Sequence, residues 1–343
     1  ESFAEVFELT TGDPLSQLDE DWRYRTEKKY LPDIASSDPP SQTGTAITRN
    51  GFNVKPQIVG RDEENLRLVF FRNHQGATEI ASVSMDGSDP QVVVEGERSA
   101  EFEALHPLAT KPAVSPDGNL LAFSAKSGGR DRLYIWDLTI RRQIKSLVFD
   151  GVISITSPTW SPTADRIVFS GARKGGNTDL FLVHVETGEC SDLTDDIFHD
   201  RDPDWSPDGR WIAFSSDRWS GGREGLYNLF EYDFDTREVR NLTSGSQNDL
   251  SPDWSADGAR LVFSSDRDGA FNLYSLDLSA SPSKDEFITQ RLTRTLTGLF
   301  DPVWSPDGNS VFFSGFESGR FHIYRQEVAA NDSTPSDTQP PLD

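Results

Sequence analysis

The sequence has one cysteine, Cys190, one methionine, Met85, and five histidines set far apart at 74, 106, 184, 199 and 322 among its 343 residues. A single thiol excludes an intrachain disulfide and any thiolate-rich zinc or iron–sulfur cluster. No stretch approaches the about 20 apolar residues that a membrane span requires, so no membrane span is expected. Basic residues are outnumbered: 33 Lys and Arg against 56 Asp and Glu leave a net charge of −23. Such a surface repels nucleic-acid phosphates and favours cations or basic segments of proteins. The motifs of several hydrolytic and nucleotide-binding chemistries are missing too. There is no G-x-S-x-G, no H-E-x-x-H, no phosphate-binding loop and no G-x-G-x-x-G leading into a helix.

What is present is a repeat. Ser115-Pro-Asp-Gly118, Ser161-Pro-Thr-Ala164, Ser206-Pro-Asp-Gly209, Ser255-Ala-Asp-Gly258 and Ser305-Pro-Asp-Gly308 begin 46, 45, 49 and 50 residues apart. In S-P-D-G the proline presets a turn and the glycine takes the left-handed conformation that reverses the chain. Before each turn stands a short segment such as Pro203-Asp-Trp205, Pro252-Asp-Trp254 or Pro302-Val-Trp304, a first strand. After it come Leu120–Ser124, Arg166–Ser170, Trp211–Ser215, Leu261–Ser264 and Val311–Ser314, apolar runs that read as buried second strands. A third segment alternates, as in Leu133–Asp137 and Leu229–Asp233, and predicts a strand with one solvated face. The fourth ends in Leu-Thr at 193–194, 242–243 and 292–293.

Four antiparallel strands per repeat predict a propeller blade. A degenerate copy precedes the clear ones, with Pro56–Val59, Leu66–Phe71, Ile80–Met85 and Gln91–Val94 as its strands and Gly60–Asn65 as a decayed turn. The expected fold is therefore an all-β, six-bladed β-propeller. Its last copy lacks a fourth strand, and Thr45-Ala-Ile-Thr-Arg-Asn50 resembles the Leu-Thr segments. An N-terminal strand at about 43–50 is expected to close the ring and remove the edge. The predicted organisation is a non-repeating arm (1–42), the propeller (43–328) and a Ser/Thr/Asp/Pro-rich tail (329–343) without structure of its own.

The pattern P-x-W-S-P-D-G-x-x-I-x-F-S-S-D-R-D-G-x-x-x-L-Y, followed most closely by residues 252 to 274 and again by 203 to 233, resembles the WD40-like PD40 repeats of the TolB family. The resemblance implies the six-bladed propeller. TolB proper carries an α/β domain before its blades and the prolyl-oligopeptidase-like enzymes add a hydrolase domain. Neither is expected in a chain with this arm and tail.

First strands are innermost in a propeller, so the residues entering them are expected at the channel mouth. These are Asp200 and Asp202, Asp249 and Asp301 on the later blades, with Lys55, Lys111 and Ser157 on the first three. Carboxylates crowded in this way suit a hard cation such as Ca²⁺ or a basic peptide. The alternative for each is an Asp that caps its own turn. Asp217-Arg218 and Asp266-Arg267 recur with the repeat and read as braces, and Trp160, Trp205, Trp254 and Trp304 as blade packing. In the arm, Trp22, Tyr24 and Tyr30 are candidates for docking a partner. The functional expectation is a non-catalytic scaffold, a subunit of a multiprotein assembly. Opening at Glu1 without Met or an apolar leader, the chain reads as exported, periplasmic or extracellular. The competing expectation is a Ca²⁺-dependent propeller enzyme of the lactonase, hydrolase or lyase type, using the four aspartates.

Overall fold

In the S-P-D-G turns, and in the S-A-D-G turn at 255–258, the serine hydroxyl bonds both ways. It accepts from the N–H five residues on, at 2.9 Å from Leu120, 2.8 Å from Trp211, 2.9 Å from Arg260 and 2.9 Å from Ser310. It also donates to the carboxylate two residues on, at 2.5 Å to Asp208 and 2.6 Å to Asp257. The closing glycines 118, 209, 258 and 308 have φ between 68° and 77°. Ala164 takes the same conformation at φ 58° in the turn that lacks glycine. These turns come from a computed structural model, which describes residues 3–35, 37–60, 66–99, 101–220, 222, 225–279 and 287–328.

Around these turns the strands assemble six antiparallel sheets. A short strand β1 (Thr45–Ala46) comes first. Blade one is β2 (Phe52–Val59), β3 (Arg67–His74), β4 (Ala77–Ser84) and β5 (Gln91–Val94). Blade two is β6 (Ala104–Leu105), β7 (Ala113–Val114), β8 (Leu120–Ser127), β9 (Arg130–Asp137) and β10 (Arg142–Leu147). Its inner strand is split in two, β6 and β7 both pairing with β8. Blade three is β11 (Val152–Trp160), β12 (Arg166–Arg173), β13 (Thr178–His184) and β14 (Cys190–Asp192). Blade four is β15 (Asp200–Trp205), β16 (Trp211–Ser216), β17 (Asn228–Asp233) and β18 (Val239–Asn241). Blade five is β19 (Asp249–Trp254), β20 (Arg260–Ser265), β21 (Asn272–Asp277) and β22 (Ile288–Arg291). Blade six has β23 (Leu299–Trp304), β24 (Ser310–Glu317) and β25 (Arg320–Glu327).

The fourth strand of blade six is β1, paired antiparallel with β25 in the order β1-β25-β24-β23. The equivalence with the other blades extends to single atoms. Leu193 and Thr194 donate to the Leu180 carbonyl at 2.8 and 3.3 Å, and Ile47 and Thr48 donate to the Ile323 carbonyl at 2.8 and 3.3 Å. In return the threonine hydroxyl accepts from the third strand: Leu180 to Thr194, Leu229 to Thr243, Leu273 to Thr293 and Ile323 to Thr48, at 2.8–2.9 Å. Regular pairing in β1 covers two residues, shorter than the expected 43–50. Residues 40–43 form a helical turn instead, with Ser41 donating to Glu317 at 2.7 Å. The decayed turn of blade one at 61–65 and the tail 329–343 lie outside the described residues.

The core is six clusters, each spanning two blades. Trp160 packs with Ala113, Ala122 and Leu133 of blade two, Trp205 with Val168 and Leu180 of blade three, and Trp304 with Val262 and Leu273 of blade five. In blades three to five the expected solvated face of the third strand is not there: β17 is buried at every residue, and β13 and β21 at all but their ends, whereas β25 of blade six is buried only at Ile323 and Tyr324. In β13, β17 and β21 the alternation sorts side chains between two neighbouring blades rather than between core and water. Glu231 is fully buried in this way and pairs with Arg240 across the sheet.

Before the propeller, α1 (Phe3–Thr11) and α2 (Leu15–Ala35) form the arm. Its aromatic docking candidates are exposed, Trp22 at 63%, Tyr24 at 65% and Tyr30 at 46%. No described helix is long and apolar enough to cross a membrane.

Candidate functional site at the channel mouth

The inner strands share one distortion. In β2, β11, β15, β19 and β23 the pairing with the second strand slips by one residue, between 54 and 57, 156 and 159, 201 and 204, 250 and 253, and 300 and 303. At the slip stands a non-glycine residue in the left-handed region: Lys55 (φ 62°), Ser157 (47°), Asp202 (53°), Ser251 (54°) and Asp301 (54°). A side chain in that region costs roughly 1–2 kcal/mol, so five at one register are maintained by the fold around them. Such a bulge re-aims the side chain it carries. Here it turns one residue per blade toward the channel. Lys111 holds the corresponding place in blade two, in the gap between β6 and β7 and without positive φ.

These channel residues neutralise one another. Lys55 Nζ lies 2.7 Å from Asp301 Oδ1, to which Ser251 also donates at 3.4 Å. Asp202 accepts from Ser157 at 2.8 Å and from Arg201 Nε at 3.0 Å. Burial alone would raise the Asp202 carboxyl, yet Arg201, Lys55, Ser157 and Lys111 together hold it down at about 2. Lys55 and Lys111 sit on blades one and two and Asp202 on blade four, so their charges act across the channel. One layer deeper Lys111 Nζ is 3.8 Å from Asp204. Asp204 and Asp253 accept the backbone N–H groups of Trp254 and Trp304 in the next blades at 2.9 and 2.8 Å. Burial, then the charge of Asp204, pushes Asp253 well above the usual carboxylate range.

The four aspartates expected at the mouth divide into two kinds. Asp202 and Asp301 are at the channel positions. Asp200 and Asp249, two residues before the bulge, are fully buried against the arginines of the repeated Asp-Arg pairs. Arg218 Nη2 pairs with Asp200, and Arg267 Nη2 with Asp249 at 2.9 Å. The Asp of each pair secures the loop before the strand, Asp217 accepting from His199 N at 2.8 Å and Asp266 from Asn248 N at 2.7 Å. The four are not one group. Among the described residues the cluster of acidic ligand atoms within 4.8 Å of one another is Asp179, Asp196 and Asp200. Asp179 and Asp196 do not belong to the residues singled out from the repeat, although aligning Asp179 with Asn228 and Asn272 shows it as a departure from the pattern.

Beside Lys55 and Asp301 the same end of the propeller carries phenylalanines from three blades. Phe271 and Phe300 have ring centroids 5.2 Å apart, Phe300 and Phe321 6.2 Å, Phe316 and Phe321 5.1 Å, and Phe52 and Phe321 5.4 Å. All five are half-buried. Phe52 and Phe300 stand at the starts of inner strands of blades one and six, Phe316 and Phe321 face each other at the hairpin end of β24 and β25, and Phe271 lies in the loop between the second and third strands of blade five.

The family model described as the TolB beta propeller domain, PD40, matches residues 65–230 and 219–333. A TolB homolog of Chlorobium luteolum is 29% identical over 162 residues, 47% of this chain and 34% of its own length. The uncharacterized peptidase YuxL of Bacillus subtilis is 28% identical over 144 residues, 32% of this chain and 22% of its own length. The matched regions span only these minor shares of the curated relatives. Among solved structures, TolB from Acinetobacter baumannii superposes with TM-score 0.58 at 23% identity, over 76% of this chain and 63% of its own. Oligogalacturonate lyase from Vibrio parahaemolyticus does so with TM-score 0.52 at 14% identity, over 82% and 80%. At these identities the structural likeness concerns the fold alone.

Proposed function

The chain belongs to the TolB β-propeller family with PD40 repeats, and from that premise we propose that it is a non-catalytic, exported protein-binding propeller, periplasmic or extracellular, that receives a partner's peptide segment at the channel mouth. The observation that carries the reading is the crescent of five half-buried phenylalanines beside the mouth. Aromatic side chains with one face covered and one open are the usual anchors of protein interfaces. The net charge of −23 selects a partner segment with basic as well as apolar side chains, and electrostatic steering favours its approach. The five left-handed bulge residues add to this, since strain held at one register marks a surface kept for use. The exposed Trp22, Tyr24 and Tyr30 of α2 offer a second surface for the same assembly.

The competing reading, a Ca²⁺-dependent enzyme at the mouth, has a specific observation against it. The four carboxylates it needs do not form one cluster: Asp202 and Asp301 face the channel, bonded to Arg201, Ser157 and Lys55, and Asp200 and Asp249 lie buried beside Arg218 and Arg267. A photo-crosslinking residue placed at Phe300, and at Arg141 on the opposite end, tests the proposal in the native envelope. A discrete protein adduct from position 300 that position 141 does not give is expected. Equal adducts from both positions, or none from 300, would remove the reading.

A further inference from the structure

The joints between blades three and four and between blades four and five are built on one plan, yet only one is internally satisfied. At the later joint Asp249 is surrounded by donors: Arg267 at 2.9 Å, Thr243 at 2.6 Å, Gln247 at 3.2 Å and Asn228 Nδ2 at 3.5 Å. At the earlier joint Asp200 takes the place of Asp249, Arg218 that of Arg267, and Asp179 stands where Asn228 does. The exchange of Asn for Asp removes a donor and adds a carboxylate. Asp200 is wholly buried, Arg218 holds its Oδ2, the Ser216 and Thr194 hydroxyls lie beside the carboxylate, and no hydrogen bond of normal geometry reaches its Oδ1.

The surroundings deepen the imbalance. Asp196, on the loop before β15, accepts from Phe198 N at 2.9 Å and from Arg218 Nη1 at 2.7 Å. Asp179 is buried and receives one long contact, 3.5 Å from Asp196 N. Oxygens of Asp179, Asp196 and Asp200 lie within 4.8 Å of one another. Three carboxylates thus share one guanidinium. Burial first, then the charges of Asp200, Asp195 and Asp196, push the Asp179 carboxyl up to about 6. The group lies off the channel, because the bulge at Asp202 turns the next carboxylate of the strand toward the axis and leaves Asp200 behind.

We propose that this joint is a divalent-cation site in which Asp179, Asp196 and Oδ1 of Asp200 hold a Ca²⁺ ion between blades three and four. An all-oxygen, carboxylate-rich donor set selects Ca²⁺ over zinc or copper, which prefer nitrogen and sulfur. Arg218 remains on the outer oxygens of Asp196 and Asp200. The exposed Asp196 leaves an open side through which the ion enters and water completes the shell. The site ties the loop before β15 to the third strand of the preceding blade.

The test is calorimetric titration of the metal-free full chain with CaCl₂, alongside MgCl₂, at pH 7.5, with thermal unfolding followed in parallel. One Ca²⁺ per chain is expected, with an affinity of about 10⁻⁴ M, as for open extracellular sites. The variant Asp179→Asn reproduces the arrangement of the later joint, so it folds, which circular dichroism confirms. It should lose Ca²⁺ affinity at least about tenfold, since changes even in the partners behind a ligand cost that much, and lose the Ca²⁺-induced rise in melting temperature. Absence of binding by the native chain at about 10 mM Ca²⁺, well beyond the range of such sites, would overturn the proposal. Equal binding by Asp179→Asn would do the same, as would a joint stabilised by acid alone with no response to the ion.

Discussion

Asp202→Asn isolates the electrostatics of the channel. The Asp202 side chain is 3% exposed and its carboxyl is held at about 2, against 3.8 for the free group. That difference amounts to about 2.5 kcal/mol of folding stability at neutral pH. A depressed carboxyl contributes fully above its unfolded value and loses its contribution as pH falls through its folded value. The gap between native chain and variant should therefore be about 2.5 kcal/mol at pH 7, about 1.3 at pH 3 and below about 0.5 at pH 2. The substitution keeps an oxygen for the Ser157 hydroxyl and removes only the charge that faces Arg201, Lys55 and Lys111. Urea unfolding of both proteins across this pH range yields the gap directly, since other carboxylates cancel in the difference. A gap that is constant with pH, or absent at pH 7, would refute the account of a charge stabilised across the channel.

Three further perturbations address the scaffold. Thr48→Val removes the hydroxyl that accepts from Ile323 N, and should cost about 1–3 kcal/mol by leaving a buried N–H without a partner, read from urea midpoints. Ala164→Gly relieves a left-handed alanine at φ 58°; thermal unfolding should show a gain of about 0.5–1 kcal/mol, the steric relief less the added chain entropy. Arg240→Ala leaves Glu231 fully buried without its cation and should cost about 3–5 kcal/mol, while Arg240→Ala with Glu231→Leu recovers most of the loss.

The blades were legible because the turn, not the strands, repeats strictly: a serine that bonds both ways and a glycine at positive φ leave little freedom. Ile47-Thr48 could be recognised as a missing outer strand for the same reason, its hydroxyl serving the role of Thr194 and Thr243. Asp200 and Asp202 were harder. Residues two apart in a strand share a face, which joins them on paper as one acidic pair. The bulge between them breaks the period of two, sending Asp202 to the channel and Asp200 to Arg218, and nothing in a short polar strand announces a bulge. The third strands of blades three to five misled through their alternation, which normally separates core from water but here separates one neighbouring blade from the other. The phenylalanine crescent was hidden because Phe52, Phe300 and Phe321 are distant in sequence and meet only where the ring closes.

The meeting of Thr48 with Ile323 joins residues 275 positions apart. By the logarithmic law for loops, bringing such distant points together costs about 5 kcal/mol of chain entropy. The last blade therefore cannot be completed locally: a growing or partly threaded chain carries β1 unpaired until β25 arrives. Up to that moment the unfinished ring offers two bare strand edges, one at each end of the polypeptide, to any other strand nearby. The interval before closure is when this protein is most exposed to exchanging its first strand with a second copy.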